Sequence, residues 1–470
     1  MMKKLNLALK ITNLALLICF FSLTISCSSS NDSSSNTPAV EYPERLVDLT
    51  LNFGSLLSTP VMIALNINTS ATSQSQSGGI SPRTPFLKNK FRLLPKKRFS
   101  MHVSNTSTIT GPHKRTSSPT LAVTDTTTTT TFQVYNFKNT TSPLTKIANR
   151  IYNGTSCYMF IDTTDEASVS QADIDTIGSF FDNTIYNRAQ NYFTSFYDAD
   201  NNNKIIILIY DFNNDDIAGY FWSDDFFASS SLYTNQADML YMNSSYFKNL
   251  SASTGSDKTA INNVIIDTLA HELQHLLNFS SRIKTSNSNY INTTFDTWIE
   301  EGIAEGVVPY LTDNSLNSTL SQLNNSEIRN GNGLFTWNSL ASDYALSFSF
   351  FEYLRIQTDS NYNFYKQLME SYSSGSNYLA VNSVITAATT NPFTNFNDAV
   401  LSYKIANFYN ISSGKYGYKN EYSLPALSSP TTSSVSLQAG GSSYFTSNLN
   451  EFIPTNVGDN VYYYRINYTP

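Results

Sequence analysis

The stretch TLAHELQHLLNF (Thr268–Phe279) places a polar triplet inside an apolar segment. His271 and His275 are four residues apart, so in a helix both side chains point to the same side. The chain of 470 residues has only four histidines, and two of them are here. The leucines around them predict a largely buried helix. In such a helix, His271, Glu272 and His275 are costly to bury unless they share a partner.

The spacing His-Glu-x-x-His is typical of a zinc site in a metallopeptidase. The two imidazoles can reach one ion, whereas Glu272 lies one position round the helix and can contact a water on that ion. The alternative is that hydrogen bonds satisfy both histidines and that Glu272 lies at the surface. We favour zinc, because the alternative leaves three neighbouring polar groups in an apolar helix.

The third zinc ligand is expected to be a carboxylate. A catalytic zinc has three protein ligands and one open position, and no histidine follows His275 in the chain. In the stretch DTWIEEGIAEGVVP (296–309), Thr297 and Glu300 fit a capping box that predicts the start of a helix. Glu301 follows on that helix, so the residues alone leave Glu300 and Glu301 as candidate ligands.

The motif HELQH, followed by WIEEGIAE (298–305), resembles the gluzincin metallopeptidases. In that group the glutamate of a W-x-x-E-G-x-A segment is the third ligand, which implies Glu301 here. Thermolysin-like members place an acid at the position of Glu305 to orient a zinc histidine, which implies that role for Glu305; an exposed helix acid is the alternative. The stretches NKIIILIYDF, GYFWSDDF and DMLYMN are similar to the hyicolysin family, and the likeness covers about residues 132–410.

This resemblance implies both a fold and an activity. The fold is α+β: a zincin-like domain with a mixed sheet, an active-site helix and a helical C-terminal subdomain, with small β segments at both ends of the chain. The cofactor is one Zn²⁺ per chain, and the substrate is a protein or peptide. A zinc-bound water attacks the peptide bond, and Glu272 moves the proton.

A hydrogen-bond donor for the developing oxyanion is also required. Some gluzincins use a histidine, but the two remaining histidines fall outside the predicted enzyme domain, so we expect a tyrosine. Tyr344 is the candidate, with Tyr310 and Tyr353 as rivals. Gluzincin aminopeptidases carry a glutamate in the strand before the zinc helix, and ADMLYMN (237–243) has none. We therefore predict an endopeptidase whose substrate pairs with the edge of this strand.

An acidic loop precedes a second apolar run, KIIILIYDF (204–212). Asp198, Asp200 and Asn202 have the D-x-D-x-N spacing of a calcium loop, but the glycine of the sharp turn and the closing glutamate are missing. A turn into the strand is the favoured interpretation, and a calcium site is the alternative.

The N-terminus predicts a lipoprotein. Lysines precede an apolar run, Leu14–Ile25, that is short for a membrane span. Residues 1–27 resemble a bacterial lipoprotein signal, in which Cys27 becomes the lipidated first residue that carries palmitate. Residues 28–45 then form a Ser-rich tether. An ordinary cleaved signal is the alternative. The lipid anchor would hold the protein on a membrane of the bacterial cell envelope, at the outer membrane or cell surface.

Composition divides the rest of the chain. Residues 46–70 predict a small β segment, and 71–131 predict a disordered linker rich in basic residues, proline and threonine. The peptidase domain follows at 132–410 and a small β module at 411–470. Cys157, in the strand-like run SCYMFID, is expected to be buried in the core.

The charge of the chain excludes one class of partner. Charged residues make up 14% of the chain, the net charge is -7, and no long basic face is present, so nucleic acid is not expected to bind. The predicted function is a surface-anchored zinc endopeptidase. The alternatives are a surface binding lipoprotein, such as an adhesin or scaffold on an inactive peptidase fold, and a zinc hydrolase acting on a non-peptide bond.

Overall fold

The computed structural model describes residues 45–52, 60–69, 74–77, 121, 123–139, 142–193, 195–226, 234–284, 295–359, 361–375, 377–430, 434–446, 458 and 460–469. These residues all lie in one unit, Glu41–Pro470. The strands are β1 (Leu46–Asn52), β2 (Val61–Asn66), β3 (Gln74–Ser77), β4 (Thr129–Val134), β5 (Leu144–Asn153), β6 (Cys157–Asp162), β7 (Ile205–Tyr210), β8 (Gly219–Phe221), β9 (Met239–Asn243), β10 (Ser434–Leu437), β11 (Ser442–Phe445) and β12 (Val461–Thr469).

The helices mostly follow the strands of the central sheet in the chain. They are α1 (Gln171–Phe180), α2 (Asn187–Tyr192), α3 (Ser244–Ala252), α4 (Gly255–Lys284), α5 (Thr297–Thr312), α6 (Asn317–Ser321), α7 (Ser326–Arg329), α8 (Ala341–Gln357), α9 (Asn363–Met369), α10 (Tyr378–Ala387) and α11 (Phe396–Tyr409). Sheets and helices therefore form a mixed fold that is compatible with the predicted α+β class.

A six-stranded mixed sheet has the order β4-β5-β6-β7-β9-β8. The strands β6, β7 and β9 are parallel, whereas β4 and β5 on one side and β8 on the other pair antiparallel. The runs CYMFID and IIILIY are apolar because β6 and β7 are buried on both faces. Cys157, at the start of β6, is buried as predicted, and burial raises the pKa of its thiol well above the usual value.

The strand order corrects the prediction that substrate pairs with the edge of ADMLYMN (237–243). This segment contains β9, which already has β7 and β8 as its neighbours. Within the described residues, the last strand on this side of the sheet is β8. Gly219 in β8 lies against the helix α4, since a Cβ at this position would be 2.7 Å from Thr268 Cγ2. Among the described residues, GYF (219–221) is therefore the last strand of the sheet beside the predicted metal helix, and its three residues are buried.

Two glycines allow the helices behind the sheet to pack closely. The helix α5 lies against both α4 and α8. A Cβ at Gly302 would collide with the ring of Phe351 on α8, and a Cβ at Gly306 would collide with the ring of Tyr365 on α9. Because α5 is held this closely, the position of its carboxylates relative to α4 is fixed by packing.

The two ends of the described chain form one sheet. Its order is β1-β12-β2-β11, with β1 parallel to β12 and β2 antiparallel to both β11 and β12. The small β segments predicted separately at 46–70 and 411–470 are thus joined, because strands from both segments alternate in the sheet. A second pairing connects β3, which lies in the predicted linker, with β10 of the C-terminal segment.

The predicted linker 71–131 contains ordered structure at both ends. The strand β3 lies in it, and β4 begins at Thr129. Leu121 and Val123 are buried in the cluster that includes Phe132. Most of the linker, the predicted signal peptide 1–27 with Cys27, and nearly all of the tether 28–45 lie outside the described residues. None of the helices in the described ranges is long and apolar enough to cross a membrane.

Candidate metal centre

Two neighbouring helices bring three predicted ligands together. The helix α4 carries His271 and His275 on one side, and α5 carries Glu301 opposite them; all three side chains are buried. His271 Nε2 lies 3.1 Å from His275 Nε2 and 3.2 Å from Glu301 Oε2. The third distance, from His275 Nε2 to Glu301 Oε2, is 3.8 Å. Three potential donor atoms therefore form a small, nearly regular triangle.

The size of this triangle fits a zinc ion. A point about 2.0 Å from all three atoms follows from the three distances, and about 2.0–2.2 Å is the length of Zn–N and Zn–O bonds. Two imidazole nitrogens and one carboxylate oxygen leave the fourth tetrahedral position open. The donor set is therefore that of a catalytic rather than a purely structural zinc site.

Glu305 lies on the other side of the His271 ring. Its Oε1 is 3.2 Å from His271 Nδ1, and its side chain is buried. A carboxylate at Nδ1 favours the tautomer that leaves the Nε2 lone pair free for a metal. The alternative prediction, that Glu305 is an exposed acid on the helix, is therefore wrong. Glu305 lies where a carboxylate can orient the His271 ring.

The charges of the site are coupled. Burial would lower the pKa of His271, but its contacts with Glu301 and Glu305 raise it to about 10. Burial would raise the pKa of Glu301, but His271 and His275 lower it to about 2. The imidazoles and carboxylates of the site therefore stabilise each other's charged forms.

Glu272 is fully buried, next in sequence to His271, and the negative charge on Glu272 adds to the raised pKa of His271. A carboxylate in this environment is the group that a water at the open metal position would need as a proton acceptor. Glu272 is therefore a buried carboxylate at the position to which the motif assigns proton transfer.

Glu300, the rival third ligand, points elsewhere. Its carboxylate accepts hydrogen bonds from Asn278 Nδ2, from the guanidinium of Arg282 and from the backbone N–H of Phe295. The predicted capping box is wrong for the same reason: Asp296 is the N-cap residue of α5, and Glu300 bonds Phe295 rather than Thr297. Glu300, the neighbour of Glu301 in the sequence, is thus part of a buried ion pair with Arg282.

Asn278 and Arg282 were not identified from the sequence. They lie three and seven residues after His275 on α4, and Arg282 is buried with only 1% of its side chain exposed. The polar face that carries the histidines therefore continues along the helix. Polar residues at helical spacing in an apolar segment were the signal that could have found them.

The three candidate tyrosines differ in their surroundings. The ring of Tyr344 lies 6.5 Å from the ring of His271 and packs on Trp337. Tyr353 is buried, and its hydroxyl donates to the Lys415 carbonyl at 2.6 Å. Tyr310 packs in a separate group of rings with Tyr192, Phe193 and Tyr362. Of the three, Tyr344 is the one whose ring lies near His271 of the candidate metal site.

Comparisons with known proteins agree with a metal-dependent protease. The chain is similar to the neutral metalloprotease ShpI of Staphylococcus hyicus, with 28% identity over 228 residues. The alignment covers 47% of this chain and 49% of that protein, so the chain spans about half the length of the curated relative it matches. No protein-family model matches the chain. The similarity supports a metallopeptidase, in agreement with the grouping of His271, His275 and Glu301.

Proposed function

We propose that the protein is a zinc-dependent endopeptidase of the gluzincin type, related to the hyicolysin family. The observation that carries the proposal is the triangle of His271, His275 and Glu301, whose size matches zinc coordination. The similarity to a neutral metalloprotease supports the same activity. The presence of all three ligands and of Glu272 argues against a binding protein on an inactive peptidase fold.

The side chains of the site divide the work of hydrolysis. Zinc held by His271, His275 and Glu301 would act as a Lewis acid, which would polarise the scissile carbonyl and lower the pKa of water. Glu272 accepts the proton of the attacking water on its carboxylate and then delivers it to the leaving amine. Glu305 keeps the His271 ring in one orientation through Nδ1. Burial of these groups strengthens each electrostatic interaction, because the local dielectric constant is low.

The substrate peptide is proposed to extend the sheet at β8. This strand is the outer neighbour of β9 among the described residues, and α4 packs directly against it. Main-chain hydrogen bonds from β8 would hold an extended peptide across the metal site. ADMLYMN (237–243) contains no glutamate to bind a free amino terminus, which favours internal cleavage. A complex with a peptide inhibitor whose backbone pairs with another element would contradict this placement.

Tyr344 is proposed to donate a hydrogen bond to the oxyanion. Tyr344→Phe removes the hydroxyl but keeps the ring that packs on Trp337. We expect kcat to fall by about 10²–10³-fold, the usual loss for one oxyanion donor, with little change in KM or zinc content. Tyr310→Phe is the matched control and should retain full kcat. Equal rates for both variants and the parent would remove Tyr344 from the mechanism.

A protease assay with metal removal tests the proposed function. The purified full-length chain should cleave casein at internal bonds, lose that activity after treatment with 1,10-phenanthroline, and regain it when about one equivalent of Zn²⁺ is added. Release of single amino acids alone would indicate an exopeptidase. A chain that binds one zinc but cleaves neither casein nor a peptide library would contradict the proposal.

A lipid anchor on Cys27 is proposed to hold the enzyme on the bacterial cell envelope. The support is the sequence of residues 1–27, in which a basic start and an apolar run precede Ser26-Cys27. Labelled palmitate should enter the parent protein. If Cys27→Ala takes up as much label as the parent, the anchor lies elsewhere or is absent.

A further inference from the structure

A second group of acidic side chains lies at one end of the central sheet. Asp198, Asp200 and Asp238 each offer a carboxylate oxygen, and these oxygens lie within 4.8 Å of one another. Asp198 and Asp200 are in the loop before β7, and Asp238 directly precedes β9. Since β7 and β9 are parallel neighbours, residues that precede them meet at the same end of the sheet.

Asp238 is a buried carboxylate with an unused oxygen. It is 0% exposed. Its Oδ1 accepts the backbone N–H of Ala199 at 2.8 Å, whereas its Oδ2 is buried and accepts no hydrogen bond from the described residues. An ionised carboxylate in this state is costly unless a cation or a donor compensates it. The buried Oδ2 of Asp238 therefore indicates that a cation binds among Asp198, Asp200 and Asp238.

Protein cations do not supply that compensation. In the described ranges, no lysine, arginine or histidine forms an ion pair with any of the three aspartates. Lys204, at the end of the loop, pairs with Asp125 instead. Burial and the neighbouring carboxylates raise the pKa of Asp238 well above its usual value, and burial and Asp198 raise that of Asp200 to about 7. Asp198, Asp200 and Asp238 therefore lie close together without a cationic side chain among the described residues to pair with them.

The loop also answers the two sequence objections to a calcium site. The missing glycine is replaced by Asn201 and Asn203, which adopt φ values of 60° and 61°, a region that asparagine tolerates better than most residues. The missing closing glutamate is replaced by Asp238, which comes from a later part of the chain. A ligand contributed across the sheet is invisible to a search for a continuous motif.

We propose that Asp198, Asp200 and Asp238 bind a calcium ion. All three ligands are oxygens, as a hard cation requires, and there is no imidazole or thiolate among them to favour zinc. Asp198 is half-buried, so one side of the site is open to water molecules that complete a coordination number of six to eight. The ion would connect the loop before β7 to the start of β9 and so stabilise the sheet from which the metal centre is built.

Terbium luminescence and thermal unfolding test this site in the zinc-loaded full-length chain. Tb³⁺ replaces calcium at oxygen-rich sites. Tyr186 can sensitise terbium emission because it lies near the site: the charges of Asp238 and Asp198 contribute to the raised pKa of its phenol. We expect terbium emission that Ca²⁺ displaces and that excess Zn²⁺ does not. Calcium should also raise the unfolding temperature by several degrees, because a ligand that binds only the folded state stabilises it.

Asp238→Asn makes the test specific. The variant should lose the displaceable terbium emission and the calcium response. In calcium-free buffer it should unfold at the same or a higher temperature than the parent, because asparagine can still accept the Ala199 N–H and replaces an acid whose ionisation burial disfavours. Asp216→Asn, an exposed acid, should behave like the parent. Asp200→Asn repeats the test should Asp238→Asn fail to fold. The proposal is overturned if the parent shows no calcium-displaceable emission, or if a folded variant keeps it.

Discussion

Glu272→Gln should abolish proteolysis and leave the metal in place. The substitution keeps the volume of the buried side chain but removes the group that accepts the proton of the attacking water. We expect kcat for casein or a peptide to fall by about 10²–10⁴-fold, the usual contribution of a general base. Zinc content should stay at about one ion per chain, because the three atoms that can hold a metal belong to His271, His275 and Glu301.

Asp257→Asn is the matched control for this variant. Asp257 lies in the first turn of the same helix, α4, and is exposed, so its loss tests the removal of a carboxylate without touching the site. This control should cleave at the rate of the parent. A Glu272→Gln protein that retains more than about a tenth of the parental kcat would remove Glu272 as the general base.

Glu301→Ala should lose the metal. Glu301 Oε2 is one corner of the triangle of candidate ligand atoms; it lies 3.2 Å from His271 Nε2 and 3.8 Å from His275 Nε2. Removal of even a supporting residue around a metal site costs about 10–100-fold in affinity, so loss of a direct ligand should weaken zinc binding by more than about 100-fold. The measurement is zinc per chain after dialysis, together with a competition titration against a coloured chelator.

Glu300→Gln separates the two adjacent glutamates. Glu300 belongs to a buried ion pair with Arg282, and breaking one partner of such a pair costs about 3–5 kcal/mol of folding free energy. This variant should unfold at a lower temperature yet bind one zinc when folded. Glu301→Ala should instead lose the zinc. Zinc loss in Glu300→Gln with zinc retention in Glu301→Ala would exchange the roles of the two residues.

Much of the central fold can be predicted from local sequence patterns. The apolar runs in β6 and β7 are long enough to indicate strands buried on both faces. The His-Glu-x-x-His spacing indicates one face of a helix, and α4 carries both histidines on that face. These features are encoded by residues close together in sequence, so periodicity is sufficient to find them.

Features that depend on contacts between distant segments could not be predicted. Whether the terminal strands form one sheet depends on the pairing of β1 and β2 with β12, which no local pattern specifies. Thr297 and Glu300 matched a capping box, but the Arg282 guanidinium and the Phe295 N–H bind the Glu300 carboxylate instead. Asp238 lacks any sequence motif, since its importance arises from the neighbouring loop across the sheet.

Zinc anomalous scattering from crystals of the zinc-loaded protein would locate the metal relative to its three proposed ligands. We predict one strong peak at about 2.0–2.2 Å from His271 Nε2, His275 Nε2 and Glu301 Oε2, and no peak at that place in Glu301→Ala. A peak bonded to Glu300, or a zinc-loaded crystal in which no peak touches His271 and His275, would contradict this prediction.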